Sequence, residues 1–183
     1  PVFATRRIVT IGASAGGPAA LLSLMGKMPK DLSAGVVIAQ HMPAFFVKSF
    51  AGHLSRVGPV PVKVAEEGDF ITAKRGLLSP GDSSIKIEKI KKGGVIVLDS
   101  TESEHRVLPS IDAMMESAAR VYGPQTIGVL LSGMGKDGVK GLKAIKHAGG
   151  KTVVQDEATS IVYGMAKEAV NAGVADKVLP LDK

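Results

Sequence analysis

A chain of 183 residues fits one domain, or one domain with a small excursion, and at this length roughly 70% of the unfolded surface is buried without need of staples. Cysteine is absent, which excludes disulfides, thiolate metal sites and cysteine nucleophiles and suits a reducing, cytoplasmic setting. The net charge of +6 could favour acidic partners, but with two Tyr, five Phe and no Trp there is little to stack on bases, so nucleic acid is not an expected partner.

The first segment, 1–7, has no long apolar run after Arg6-Arg7 and does not read as a secretory signal. No later stretch approaches the ~18 apolar residues of a membrane span, so membrane insertion is not expected. A strand is predicted over 7–11, rich in Val and Ile. A helix follows it, with Pro18 in a first-turn position and Leu21, Leu24, Met25 and Met28 at helical spacing. The next strand is predicted over 36–39, followed by a helix on the pattern Phe46, Phe50, Leu54 and Val57.

The rhythm breaks over 60–98, which has strand character but little helical pattern. Ser84-Ile85-Lys86-Ile87-Glu88-Lys89-Ile90 alternates, Lys91-Lys92-Gly93-Gly94 turns, and 95–98 returns, predicting a β-hairpin with one wet face. A helix then follows on Ile111, Met114, Met115, Ala118 and Tyr122. Strands are predicted over 127–131 and 152–154, with a helix on Val139, Leu142, Ile145 and Ala148 between them. The near-continuous apolar strands read as buried on both faces. The expected fold class is α/β: a doubly wound, mostly parallel sheet flanked by helices, with a β-hairpin insertion.

Gly12-Ala13-Ser14-Ala15-Gly16-Gly17-Pro18, between a strand and a helix, contains G-x-S-x-G, the spacing of a nucleophile elbow. A sharp turn there lifts the Ser14 hydroxyl clear of the backbone, and the Ala15 N–H is the obvious oxyanion donor. Gly12 and Gly17 also fit a phosphate-binding turn, and a plain tight turn is a third reading. A serine nucleophile needs a base, and four histidines are available. His41 follows a strand and so falls at the same carboxyl edge of the sheet as Ser14. His53 lies within a helix, His105 in a charged loop, and His147 on a lysine-rich polar face with Lys136, Lys140, Lys143 and Lys146. No histidine pair has metal-ligand spacing. The base needs an orienting carboxylate, for which Asp137 and Asp156 both stand at the right edge; Asp137 also suits a helix cap.

These blocks together resemble the catalytic domain of the chemotaxis protein-glutamate methylesterase (CheB-type) family. The likeness runs over about 8–181 and rests on Ile11-Gly12-Ala13-Ser14-Ala15-Gly16-Gly17-Pro18, Gln40-His41-Met42-Pro43, Ser79-Pro80-Gly81-Asp82, Pro109-Ser110-Ile111-Asp112, Leu131-Ser132-Gly133-Met134-Gly135-Lys136-Asp137-Gly138 and Gln155-Asp156-Glu157 with Tyr163-Gly164-Met165. The resemblance implies Ser14 as nucleophile, His41 as base, Asp137 as the orienting carboxylate and Met134 against the site. It implies demethylation of glutamate methyl esters on the cytoplasmic helices of chemotaxis receptors, with receptor-glutamine deamidation as a second activity, and no cofactor or metal. It divides the chain into a linker remnant, 1–7, and a catalytic domain, 8–183, with a phosphorylatable receiver domain expected N-terminal to it in the full-length protein. Departures from the family pattern are Ala15 in place of threonine, Ser83 or Ser84 in place of a histidine, and Ala166 in place of proline.

Overall fold

The computed structural model describes residues 4–101 and 107–183. In chain order it runs β1 (Ile8–Ala13), α1 (Gly17–Gly26), β2 (Gly35–Gln40), α2 (Ala44–Val57), β3 (Val62–Val64), β4 (Gly76–Leu78), β5 (Ser84–Lys89), β6 (Gly94–Asp99), α3 (Ile111–Tyr122), β7 (Thr126–Leu130), α4 (Val139–His147), β8 (Lys151–Gln155), α5 (Met165–Asn171) and β9 (Lys177–Leu179). Seven strands form one sheet in the order β3-β4-β2-β1-β7-β8-β9. Every pairing in it is parallel, so the expected "mostly parallel" sheet is wholly so.

Strand order reverses beside β1, because the chain first builds outward through β2 and then returns to lay β7 on the other side. A right-handed crossover puts helices on opposite faces when the build direction changes. The two cores follow from this. On one face Val9, Ile11, Val36 and Ile38 meet Leu21 and Met25 of α1 and Val47, Phe50 and Leu54 of α2. On the other, Ile8, Val37 and Leu130 meet Ile111, Met114 and Met115 of α3, Leu142 and Ile145 of α4, and Met165 and Ala169 of α5. Neighbours along a strand go to opposite cores, as a period of two requires. Each fully buried Leu, Ile or Met contributes roughly 1.5–3 kcal/mol relative to exposure.

β5 and β6 form a separate antiparallel pair. Its inner residues Ile85, Ile87 and Ile96 join the α3 core while Lys86 and Glu88 face water. The hairpin thus packs on α3 and joins the core that also holds Val37 and Ala39 of β2 and Leu77 of β4. Ser117 ties it to α3 by accepting from the Ile87 N–H at 3.0 Å. Thr5 fixes the approach to β1, its N–H donating to the Ile71 carbonyl at 3.0 Å and its hydroxyl to that of Ser33 at 3.0 Å.

Two expectations are corrected. In α2 the buried stripe is Val47, Phe50, Ala51 and Leu54, whereas Phe46 and Val57 are 53% and 46% exposed. Phe46 instead pairs with Phe45 near the helix start, with ring centroids 4.1 Å apart. The strand over 127–131 is not buried on both faces: Ile127 is 42% exposed, because α1 and α2 pack over the β1-to-β3 half of the sheet. Among the described residues no helix is long and apolar enough to cross a membrane.

Candidate active site

Ser14 directly follows β1, His41 directly follows β2, and Asp137 lies in the loop between β7 and α4. Those three strands are adjacent in the sheet and flank the point where strand order reverses. Open α/β sheets gather their sites in the crevice at such a point.

The serine turn closes on itself. The Ser14 N–H donates to the Ser132 carbonyl at 3.0 Å, and the Gly17 N–H donates to the Ser14 carbonyl at 2.8 Å. This use of the Gly17 N–H removes one donor that a phosphate-binding turn would need. The left-handed residue of the turn is Gly16, with φ 77°, and not the serine itself. A Cβ on Gly16 would also lie 2.6 Å from Ile161 Cβ and 2.7 Å from Ser132 Oγ. Ser132 Oγ donates to the Ala15 carbonyl at 2.7 Å and accepts from the Val162 N–H at 2.9 Å, which fixes the peptide that follows Ser14.

The His41 ring lies between the other two side chains. Its Nδ1 is 3.1 Å from Ser14 Oγ and its Nε2 is 2.8 Å from Asp137 Oδ2. Asp137 is 3% exposed. Burial alone would raise its carboxyl pKa, but the hydrogen bond from His41 and those from the Ile111 and Asp112 N–H groups outweigh it and hold the pKa below the usual range. Asp137 is therefore ionised near neutrality. An ionised carboxylate can only accept, so the ring proton sits on Nε2 and Nδ1 is left with a lone pair facing the serine hydroxyl.

The helix-cap reading of Asp137 is borne out in kind but for a different helix. Its oxygens accept from Ile111 N–H at 2.8 Å and Asp112 N–H at 2.9 Å, the first two residues of α3, while Ser110 Oγ takes the Ala113 N–H at 3.1 Å. Asp112 returns the favour to α4: its Oδ1 accepts from Gly138 N–H and Gly141 N–H, each at 2.8 Å. Two helix N-termini thus meet, each capped by the other's carboxylate.

An open cleft of about 530 Å³ is lined by Ser14, Ala15, His41, Val107, Met134, Gly135, Lys136 and Asp137. Ala15 and Met134 are both among these lining residues, Met134 being 75% exposed. The rival carboxylate Asp156 turns back on its own loop, accepting from the Thr159 N–H at 2.9 Å and hydroxyl at 2.6 Å. His53 and His147 are exposed on α2 and α4; His105 falls outside the described residues. Of the lysine face, Lys136 pairs with Glu168 at 3.4 Å and Lys146 with Asp176 at 3.1 Å. The departures are accommodated: Ser84 Oγ accepts from the Ser110 N–H at 2.7 Å, beside α3's cap, and Ala166 is fully buried in α5. Among the described residues no cluster of His, Asp or Glu could hold a metal ion.

Sequence reasoning missed Gln40, Asp112 and Gln155. Gln40 Nε2 donates to the carbonyls of Ser14 and His41. Gln155 Oε1 accepts from the Ser132 N–H at 2.8 Å while its Nε2 donates to the Thr159 carbonyl at 2.8 Å. Both glutamines are the last residues of buried parallel strands, a place where a polar side chain needs a reason.

The family model described as CheB methylesterase matches residues 9–183. The chain belongs to the CheB methylesterase family. The crystal structure of the Thermotoga maritima CheB methylesterase catalytic domain superposes with a TM-score of 0.93 at 38% identity, covering 97% of this chain and 94% of that one. A Pyrococcus horikoshii protein-glutamate methylesterase/protein-glutamine glutaminase is 44% identical over 183 residues, and a Geobacter sulfurreducens relative of that name is 43% identical over 176. The match covers 100% of this chain but 50% of the Pyrococcus protein, and 96% against 47% for the Geobacter one, so the chain spans about half the length of these CheB relatives.

Proposed function

We propose that this CheB-family chain is the catalytic unit of a serine hydrolase that removes methyl esters from glutamate side chains of chemotaxis receptors, acting on their cytoplasmic helices. The observation that carries the reading is the unbroken hydrogen-bonded line from Ser14 Oγ through His41 to Asp137, opening on a cleft. In this reading residues 8–183 are the catalytic domain, and 1–7 end a linker from a phosphorylatable receiver domain.

His41 Nδ1 takes the Ser14 proton as Oγ attacks the ester carbonyl carbon. The imidazolium so formed is stabilised by Asp137, which stays ionised. The oxyanion is held by backbone N–H donors at Ala15 and Met134, each typically worth ~10²–10³ in turnover. Collapse breaks the bond to methoxide, which leaves as methanol with the proton from His41. Water then gives a proton to Nδ1 and its hydroxide to the acyl carbon; the bond from that carbon to Ser14 Oγ breaks and Oγ takes the proton back from Nδ1, freeing the glutamate side chain and restoring Ser14 and neutral His41. A receptor glutamine follows the same path with ammonia as the leaving group, which is how one site serves both activities in the relatives' name. No cofactor enters either path.

The test is methanol release from methylated receptor. Ser14→Ala and His41→Ala should each lower it by about 10³-fold or more. Undiminished release in either variant overturns the assignment.

A further inference from the structure

We infer that Asp112 is a positioning residue for the Ser14–His41–Asp137 line: by capping α4 it fixes the loop from which Asp137 reaches His41. The inference rests on the function proposed above and adds a residue to it.

Asp137 stands in Gly133-Met134-Gly135-Lys136-Asp137-Gly138, where Gly135 and Gly138 have φ of 95° and 98°. Glycine-rich chain loses the most freedom on ordering, so such a loop needs anchors. The residue capping α4 is Gly138, which has no side chain to offer the N–H groups of the first turn. Asp112 supplies what is missing: one oxygen takes both the Gly138 and the Gly141 N–H. In the same contact the Asp112 N–H donates to Asp137 Oδ1 at 2.9 Å. Asp112 thus holds the loop by its side chain and the carboxylate by its backbone. It is 7% exposed and is not part of the cleft lining, so it acts through Asp137 and does not touch substrate. Gly141 makes the approach possible, since a Cβ there would lie 2.4 Å from Met115 Cβ and 3.3 Å from Asp112 Cα.

Without the cap, the loop relaxes, the carboxylate draws back from His41, and the imidazolium loses its stabilisation. A fluorophosphonate that labels Ser14 reads this without a receptor, through its rate across the imidazole titration. Asp112→Ala should slow labelling about tenfold to a hundredfold and move the inflection to lower pH. Asp112→Asn keeps a carbonyl oxygen for both N–H groups and should stay within about threefold of wild type at an unchanged inflection. A folded Asp112→Ala protein with the wild-type rate and inflection overturns the inference. So does an Asn variant as impaired as the Ala one, which would make the charge and not the cap the cause. If the Ala variant fails to fold, Asp112→Ser, with a shorter acceptor, is read by the same criteria. Ser14→Ala separates the two failures: persistent labelling there sinks the nucleophile, whereas its loss beside a wild-type Asp112→Ala removes only the role of Asp112.

Discussion

Ser14 and His41 are tethered by one side-chain amide. Gln40 Nε2 donates to the Ser14 carbonyl at 2.9 Å and the His41 carbonyl at 3.0 Å, so the two residues share a mount besides the contact between their side chains. Among the described residues the other end of the amide, Oε1, is buried without a partner, against Gly17, where a Cβ would lie 2.1 Å away. Turning the amide over would set that oxygen against two carbonyls, which is worse than leaving it unpaired.

Replacing Gln40 with Met, similar in length and unable to donate, should therefore act on geometry first. The Ser14 carbonyl keeps the Gly17 N–H. What is lost is the link between the two residues. Turnover should fall about tenfold or more with KM little changed, and stability by about 1–3 kcal/mol. Steady-state kinetics beside urea denaturation separates the two, and an unaltered kcat would remove Gln40 from the account.

A second prediction concerns acid. Because the folded-state pKa of Asp137 is depressed, its contribution to stability is present above the unfolded value of about 3.9 and is lost as pH falls through the folded one. In Asp137→Asn that arm disappears, so stability should change less steeply below about pH 4. At neutral pH the variant should be weaker by about 1–3 kcal/mol, since an amide nitrogen cannot accept from the Ile111 or Asp112 N–H. Urea midpoints over a pH series decide it; parallel curves for the two proteins would show that Asp137 does not carry the acid dependence.

Much of this was legible in the chain. β1, β2, β7 and β8 read as strands because Val and Ile run through them, and Ser14 and His41 fell to one sheet edge as a consequence. β3, β4 and β9 are three residues each, too short for any period, and α5 is seven, under two turns. Residue pattern alone left Asp137 and Asp156 level, since both follow strands. What separates them is tertiary, a carboxylate reaching back to a helix 25 residues earlier in the chain. One local sign was available: Asp156 and Thr159 are spaced for a side-chain-to-backbone turn, which occupies that carboxylate. The α2 stripe was displaced by one residue because Phe46, apolar and at the right spacing, is exposed on the helix surface and not in the core.

Gly133 offers a third prediction. A Cβ there would lie 2.1 Å from Met165 Cε and 2.7 Å from Ser14 Cβ. The Met165 methyl could swing, but it is fully buried, and the Ser14 β-carbon is fixed by its turn. Gly133→Ala should therefore cost about 1–3 kcal/mol by overpacking. It should also push the serine off its 3.1 Å line to His41, lowering kcat/KM about tenfold or more. A variant destabilised to that extent yet fully active would mean that the strain is relieved entirely toward Met165.

The last prediction lies away from the site, at the seam between α3 and the hairpin. Tyr122 is 7% exposed, and its ring and hydroxyl press on the Gly93–Gly94 turn, where Cβ atoms would lie 3.3 Å from the hydroxyl oxygen. Among the described residues the hydroxyl has no hydrogen-bond partner, and burial pushes its pKa up to about 12 although the nearby Gly94 backbone favours the phenolate. Below about pH 10 the phenol is protonated in both folded and unfolded chains and contributes no pH dependence. Above that the unfolded chain releases its proton first, so the folded state loses stability as pH climbs toward about 12. Tyr122→Phe keeps the ring against the turn and removes an unpaired polar atom. It should be as stable as wild type or more so at neutral pH, by up to about 1 kcal/mol, and should show a shallower alkaline decline. A Phe variant weaker at neutral pH would show that the hydroxyl does make a bond, and that the seam depends on it.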